Sequence, residues 1–186
     1  MKRIGIAVWA LLLGILVTVG TATAGQNGKG TFTGQQALTA DEVEKLTFLR
    51  EEEKLARDVY LYLLKVWELR IFENIAASEQ RHMDAVENLL LKYGLEDPAA
   101  GKGEGEFTNP DLKDLYESLI SDGSLSKLEA LQVGVDIEVM DIDDLQEIIS
   151  ETDKLDIIKV CSTLMDGSIN HLDAFNGEIE LMGETN

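Results

Sequence analysis

Cysteine, proline and positive charge are all scarce in this sequence, and each scarcity removes a class of protein. One cysteine, Cys161, stands among 186 residues, so no internal disulfide can staple the chain. A lone cysteine of this kind reads as a small buried hydrophobe. Lysine and arginine number 16 against 35 acidic residues, a formal charge of −19. That balance excludes a general nucleic-acid binder, which needs a basic surface for phosphate. Most of the acid reads as a solvated surface that keeps the protein soluble, but solvation does not account for acids on apolar helix faces. There are only two prolines and no alternating strand pattern, which argues for long helices and an all-α fold.

Long apolar runs are also missing, with one exception at the N-terminus. Lys2 and Arg3 precede an apolar stretch from Ile4 to Val19, and Ala22-x-Ala24 follows. A basic start, an apolar middle and small residues at a cleavage position predict a signal peptide over 1–24 and an exported protein. The stretch is short for a membrane span and ends in a cleavable pattern, so no stable membrane anchor is expected after cleavage. No cysteine follows the cleavage position to carry a lipid. Removing 1–24 takes away two basic residues and no acid, which moves the formal charge from −19 to −21.

Residues 25–38 are rich in Gly, Thr and Gln and read as a flexible lead-in. The remaining 39–186 read as one helical domain. Thr39 with Glu42 forms a capping box, and Leu38 with Val43 a hydrophobic staple, for a first long helix over about 40–68. A second runs from about 70 to 93 and stops at Gly94. A polar, glycine-bearing stretch follows, and Asn109-Pro110 opens a short helix to about Ser121. After a break at Asp122-Gly123-Ser124, a third long helix spans about 125–150, with Asp141-Ile-Asp-Asp144 a place where it could bend or stop. Thr152-Asp153 caps a fourth, about 154–182. Two helical hairpins with a long crossover carrying its own short helix predict an antiparallel four-helix bundle.

Bundle helices pack through positions spaced alternately three and four apart. On the first helix these are Leu46, Leu49, Glu53, Ala56, Tyr60, Leu63 and Trp67. On the second they are Phe72, Ile75, Glu79, His82, Val86, Leu89 and Tyr93. The third offers Leu128, Leu131, Val135, Glu138, Ile142, Leu145 and Ile149, and the fourth Ile157, Cys161, Leu164, Ser168, His171 and Phe175. Every stripe is apolar at both ends and polar at mid-length. A buried unpaired carboxylate is costly, and no lysine or arginine lies on the stripes to balance it. A shared metal cation is the simplest partner. Glu79-x-x-His82 sets a carboxylate and an imidazole one turn apart on one face, and Ser168-x-x-His171 repeats the spacing with the only other histidine.

Each residue alone has an ordinary explanation, since a core histidine is more often hydrogen-bonded than metal-bound. The coincidence on four helices favours metal. Two rivals remain: an exported helical binding or structural module whose polar layer is a hydrogen-bonded network, and a protein that sequesters metal without turnover.

These residues resemble the ferritin-like di-iron carboxylate superfamily. Glu53-Lys-Leu-Ala-Arg57-Asp-Val-Tyr60 is similar to the rubrerythrin segment Glu-x-x-Ala-Arg-x-x-Tyr, while Asn170-His171-Leu172 and Asp141-Ile-Asp-Asp-Leu145 resemble an exported branch. The resemblance implies a ferritin-like fold over about 40–182. It makes Glu53 and His82 terminal ligands of one metal, Glu79 a bridge, and Glu138 and His171 terminal ligands of a second. It further implies Fe(II) oxidation by oxygen or peroxide, a ferroxidase or peroxidase chemistry. Carboxylate and imidazole ligands suit iron, manganese or zinc. No rubredoxin-like cysteine domain accompanies them. The sequence departs from the pattern at Ser168, where a second bridging Glu is expected. Asp141, one turn after Glu138, is placed to compensate if its helix continues undistorted, and Tyr60, on the same stripe as Glu53, reads as a core aromatic, with a redox or hydrogen-bonding role beside the site as the alternative.

Overall fold

The computed structural model describes residues 37–184, so the expected signal peptide and nearly all of the lead-in lie outside the described residues. Among the described residues there are five helices and no strand: α1 (Ala40–Trp67), α2 (Arg70–Tyr93), α3 (Pro110–Gly123), α4 (Lys127–Glu151) and α5 (Leu155–Glu184). None is long and apolar enough to cross a membrane.

The helix ends follow from local chemistry. Thr39 Oγ1 accepts from the Glu42 amide and Glu42 Oε2 from the Thr39 amide, which satisfies two donors that the first turn leaves open. Gly94 ends α2 in the left-handed region at φ 69°. Asn109 caps α3 with Pro110 in its first turn, and Ser126 caps α4.

The chain pairs α1 with α2 and α4 with α5, and the two pairs meet through α1–α4 and α2–α5 contacts, with α3 against α1 and α4. Cross-helix partners give the directions. Arg50 ion-pairs with Glu87, and seven residues further on Arg57 donates to Gln80, so α2 runs opposite to α1. Asp141 meets Ser168, and Gly134 lies against Phe175, so α5 runs opposite to α4. Lys92 at the end of α2 pairs with Asp156 at the start of α5.

Two apolar clusters form the interior. One holds Tyr60, Leu63, Phe72, Leu131, Ile137 and Phe175, and the other Leu46, Leu49, Val86, Leu90, Leu145 and Leu164. Each such side chain stabilises the fold by roughly 1.5–3 kcal/mol relative to exposure. Glu53, Glu79, His82, Glu138, Ser168 and His171 belong to neither cluster, yet all are buried.

The structure corrects three details. The helix through Asp141–Asp144 is unbroken, and α3 continues to Gly123, where no Cβ fits beside Leu63. The inward stripe of α4 is Leu131, Gly134, Glu138, Asp141, Leu145 and Ile148. Of the positions expected there, Leu128 is exposed and Val135, Ile142 and Ile149 are half-buried. The stripe is set by Gly134, whose missing side chain admits the Phe175 ring: a Cβ there would stand 2.5 Å from it.

Candidate metal centre

Four helices each present polar groups to one buried layer. α1 supplies Glu53, α2 supplies Glu79 and His82, α4 supplies Glu138, and α5 supplies His171, all within 9% of complete burial. Glu79 and His82 share a face because three residues make nearly one helical turn, and Ser168 and His171 do the same on α5.

The layer contains two groups of ligand-type atoms, each drawn within 4.8 Å: Glu53, Glu79 and His82, and Glu79, Glu138 and His171. Glu79 belongs to both. Its Oε2 lies 2.8 Å from His82 Nδ1 and its Oε1 2.8 Å from His171 Nδ1. His82 Nδ1 is also 3.3 Å from Glu53 Oε2, and His171 Nδ1 is 3.4 Å from Glu138 Oε2. The two imidazoles stack with centroids 5.6 Å apart. Glu53 Oε1, Glu79 Oε1, Asp141 Oδ1 and His171 Nδ1 are buried without a hydrogen-bond partner. Glu79 Oε1 and His171 Nδ1 are thus close but not aligned as donor and acceptor, the arrangement of two ligands aimed at a common point. Donor set, burial and orphaned atoms all fit a divalent cation.

The electrostatics agree. Among the described residues, Glu53, Glu79 and Glu138 have ion-pair partners only in the two histidines. Burial, followed by the charges of Asp141 and Glu79, pushes the Glu53 carboxyl well above the usual range, and burial with Glu79 raises Glu138. Burial pushes Asp141 up to about 7 although Ser168 opposes it. For Glu79 burial acts upward, but the two imidazoles outweigh it and leave about 2. Burial lowers His171, and the carboxylates of Glu138 and Glu79 overcome that to raise it to about 9. Without a cation the layer holds extra protons in its place.

Gly134, Gly167 and Glu52 escape the sequence reading, which names Tyr60, Ser168 and Asp141. Tyr60 is a core aromatic as expected, and its hydroxyl also donates to Glu138 Oε1 at 2.7 Å. Ser168 Oγ reaches Asp141 Oδ2 at 2.5 Å and Leu164 O at 3.1 Å, so it can donate to an ionised Asp141, or accept from a protonated one while donating to Leu164 O. Gly167 is required beside His82, because a Cβ would stand 2.6 Å from Nε2. Glu52, next to Glu53, is buried against Asp144 with Oε2 unpartnered. Only the pairing of a small residue with a bulky one across facing turns could have signalled Gly134 and Gly167.

The class defined by this fold and layer is an all-helical protein with buried Glu/His groups able to hold metal ions. The chain belongs to the family described as "Uncharacterized protein domain (DUF2202)", whose model matches residues 42–186. The uncharacterized protein MJ0754 of Methanocaldococcus jannaschii is 50% identical over 141 residues, 76% of each chain. The crystal structure of hypothetical protein MJ0754 from Methanococcus jannaschii matches with a TM-score of 0.79 at 47% identity, covering 82% of this chain and 87% of that one.

Proposed function

We propose that the chain is a ferritin-like four-helix bundle over 39–186 that binds a pair of metal ions, iron first among them. Glu53, Glu79 and His82 hold one ion and Glu79, Glu138 and His171 the other. The observation that carries this reading is Glu79, one carboxylate with each oxygen facing a different histidine at 2.8 Å. Manganese or zinc suits the same ligands.

Bound iron would supply one-electron chemistry with oxygen or peroxide. The protein's own contribution is to position the ligands, to exclude bulk water with an apolar cluster on either side, and to hold Glu138 in orientation through the Tyr60 hydroxyl. A metal-free hydrogen-bonded layer accounts less well for the site, because it leaves four buried polar atoms unpaired at roughly 1–3 kcal/mol each.

The N-terminal segment supports export, with mature protein beginning near Gly25. The test of turnover is anaerobic Fe(II) loading followed by oxygen, then peroxide, with visible spectra. Oxidation faster than in buffer supports an oxidase, and binding without such acceleration supports sequestration.

A further inference from the structure

The second metal position is short of a carboxylate if helix α5 alone must supply it, since Ser168 stands one turn before His171. Ser168 is nevertheless committed to the layer. It is fully buried, and its hydroxyl contacts Asp141 Oδ2 at 2.5 Å. The other oxygen, Asp141 Oδ1, is buried with no hydrogen-bond partner. Nor does Asp141 have a lysine or arginine partner among the described residues; only the Ser168 hydroxyl and the His82 imidazole favour its charged form.

The register places Asp141 well. It follows Glu138 by one turn on the inward stripe of α4. Across the antiparallel pair, Glu138 faces His171 and Asp141 faces Ser168. Glu53 feels Asp141 more strongly than any other charge, and Asp141 in turn feels Glu138 first. Asp141 therefore lies in the same buried layer, one turn from Glu138 and with one oxygen unclaimed.

Resting on the two-ion reading above, we infer that Asp141 is the carboxylate that completes the centre, delivered from α4 where α5 has serine, and that Ser168 is the positioning residue that fixes its orientation. The ligand it binds is a divalent cation that accepts carboxylate and imidazole, such as Mn(II) or Fe(II). The number of carboxylates at the centre is thereby kept while one of them changes helix.

The test is anaerobic Mn(II) titration of metal-free full-length protein, followed by the electron paramagnetic resonance signal of free Mn(II). Wild type should bind two ions per chain. Asp141→Asn should keep one tight ion and weaken the second by about 100-fold. Ser168→Ala, which leaves every carboxylate in place, should weaken the second ion by roughly 10- to 100-fold, and Ser168→Thr, which keeps the hydroxyl, should recover most of it. Apo Asp141→Asn should melt no lower than wild type, which separates lost binding from lost folding. Two equally tight ions in Asp141→Asn would overturn the role of Asp141 and leave the two-ion reading standing. A single ion in wild type, no Mn(II) bound by wild type, or full binding in Glu79→Ala would instead overturn the two-ion reading itself.

Discussion

The imidazole of His82 lies against the backbone of Gly167 on the neighbouring helix, so close that a Cβ at 167 would stand 2.6 Å from Nε2. The other ring nitrogen, Nδ1, faces Glu79 and Glu53, so the ring is held between α5 and the metal layer. Gly167→Ala gains up to about 1 kcal/mol of helix propensity and loses roughly 1–3 kcal/mol to overpacking. The net expectation is a loss of about 1 kcal/mol in urea unfolding and at least tenfold weaker metal binding at the Glu53–Glu79–His82 position. A variant both more stable and undiminished in binding would show that His82 is not fixed by this contact.

Asp58 anchors the glycine-bearing crossover. It is fully buried, ion-paired with Lys54 and Arg57, and accepts from the Gly105 amide, while Lys54 donates to Gly103 O. Asp58→Ala leaves the Lys54 ammonium buried without its anion, a loss of about 3–5 kcal/mol. Chemical unfolding should show that loss, and limited proteolysis should cut near 101–108 earlier than in wild type. A loss under 1 kcal/mol would mean that Lys54 reaches solvent when Asp58 is gone.

Apo stability should fall as pH rises. Asp141 has its folded value raised from 3.8 to about 7, so its contribution is complete below 3.8 and is lost as pH rises through about 7. His171 is raised from 6.5 to about 9, so its contribution is complete below 6.5 and lost through about 9. Glu79 runs the other way: lowered from 4.5 to about 2, it contributes above 4.5 and is lost as pH falls through about 2. Thermal melts in chelator should therefore peak near pH 4.5 and decline toward pH 9. With saturating Mn(II) the trend should reverse between pH 5 and 7.5, because ligands must lose protons to bind. A flat apo profile over pH 5–9 would contradict this balance.

Tyr60 holds Glu138, so Tyr60→Phe should act on one position and not the other. Loss of the hydroxyl should weaken the ion at Glu138–His171 by 10- to 100-fold and leave the ion at Glu53–His82 within about twofold. Calorimetric titration resolves the two. Equal weakening at both would place the effect in the core packing of Tyr60 against Phe72 and Phe175.

The site was more legible in the sequence than the packing around it. Glu53, Glu79, His82, Glu138, Ser168 and His171 occupy stripe positions whose apolar neighbours are strong markers, and the structure brings all six into one layer. On α4 the expected stripe was right at Leu131, Glu138 and Leu145 and one residue late between them. Gly134 and Asp141 carry no apolar signal, whereas Val135 and Ile142 do, so periodicity chose the wrong neighbour. The charged run of α1 was the other blind spot. Arg50, Glu51, Lys54 and Asp58 look like a solvated face but are buried. The 95–109 crossover lies over them: Glu51 accepts from the Thr108 and Asn109 amides and Arg50 pairs with Asp97. A loop that returns over a helix leaves no periodic trace in either segment.

Anomalous diffraction from crystals of the full-length protein soaked anaerobically with Mn(II) tests the central claim most directly. Two anomalous peaks are expected in the interior, one against Glu53, Glu79 and His82 and one against Glu79, Glu138 and His171, with Glu79 touching both. Peaks confined to surface carboxylates, with none beside Glu79 at saturating Mn(II), would contradict the account.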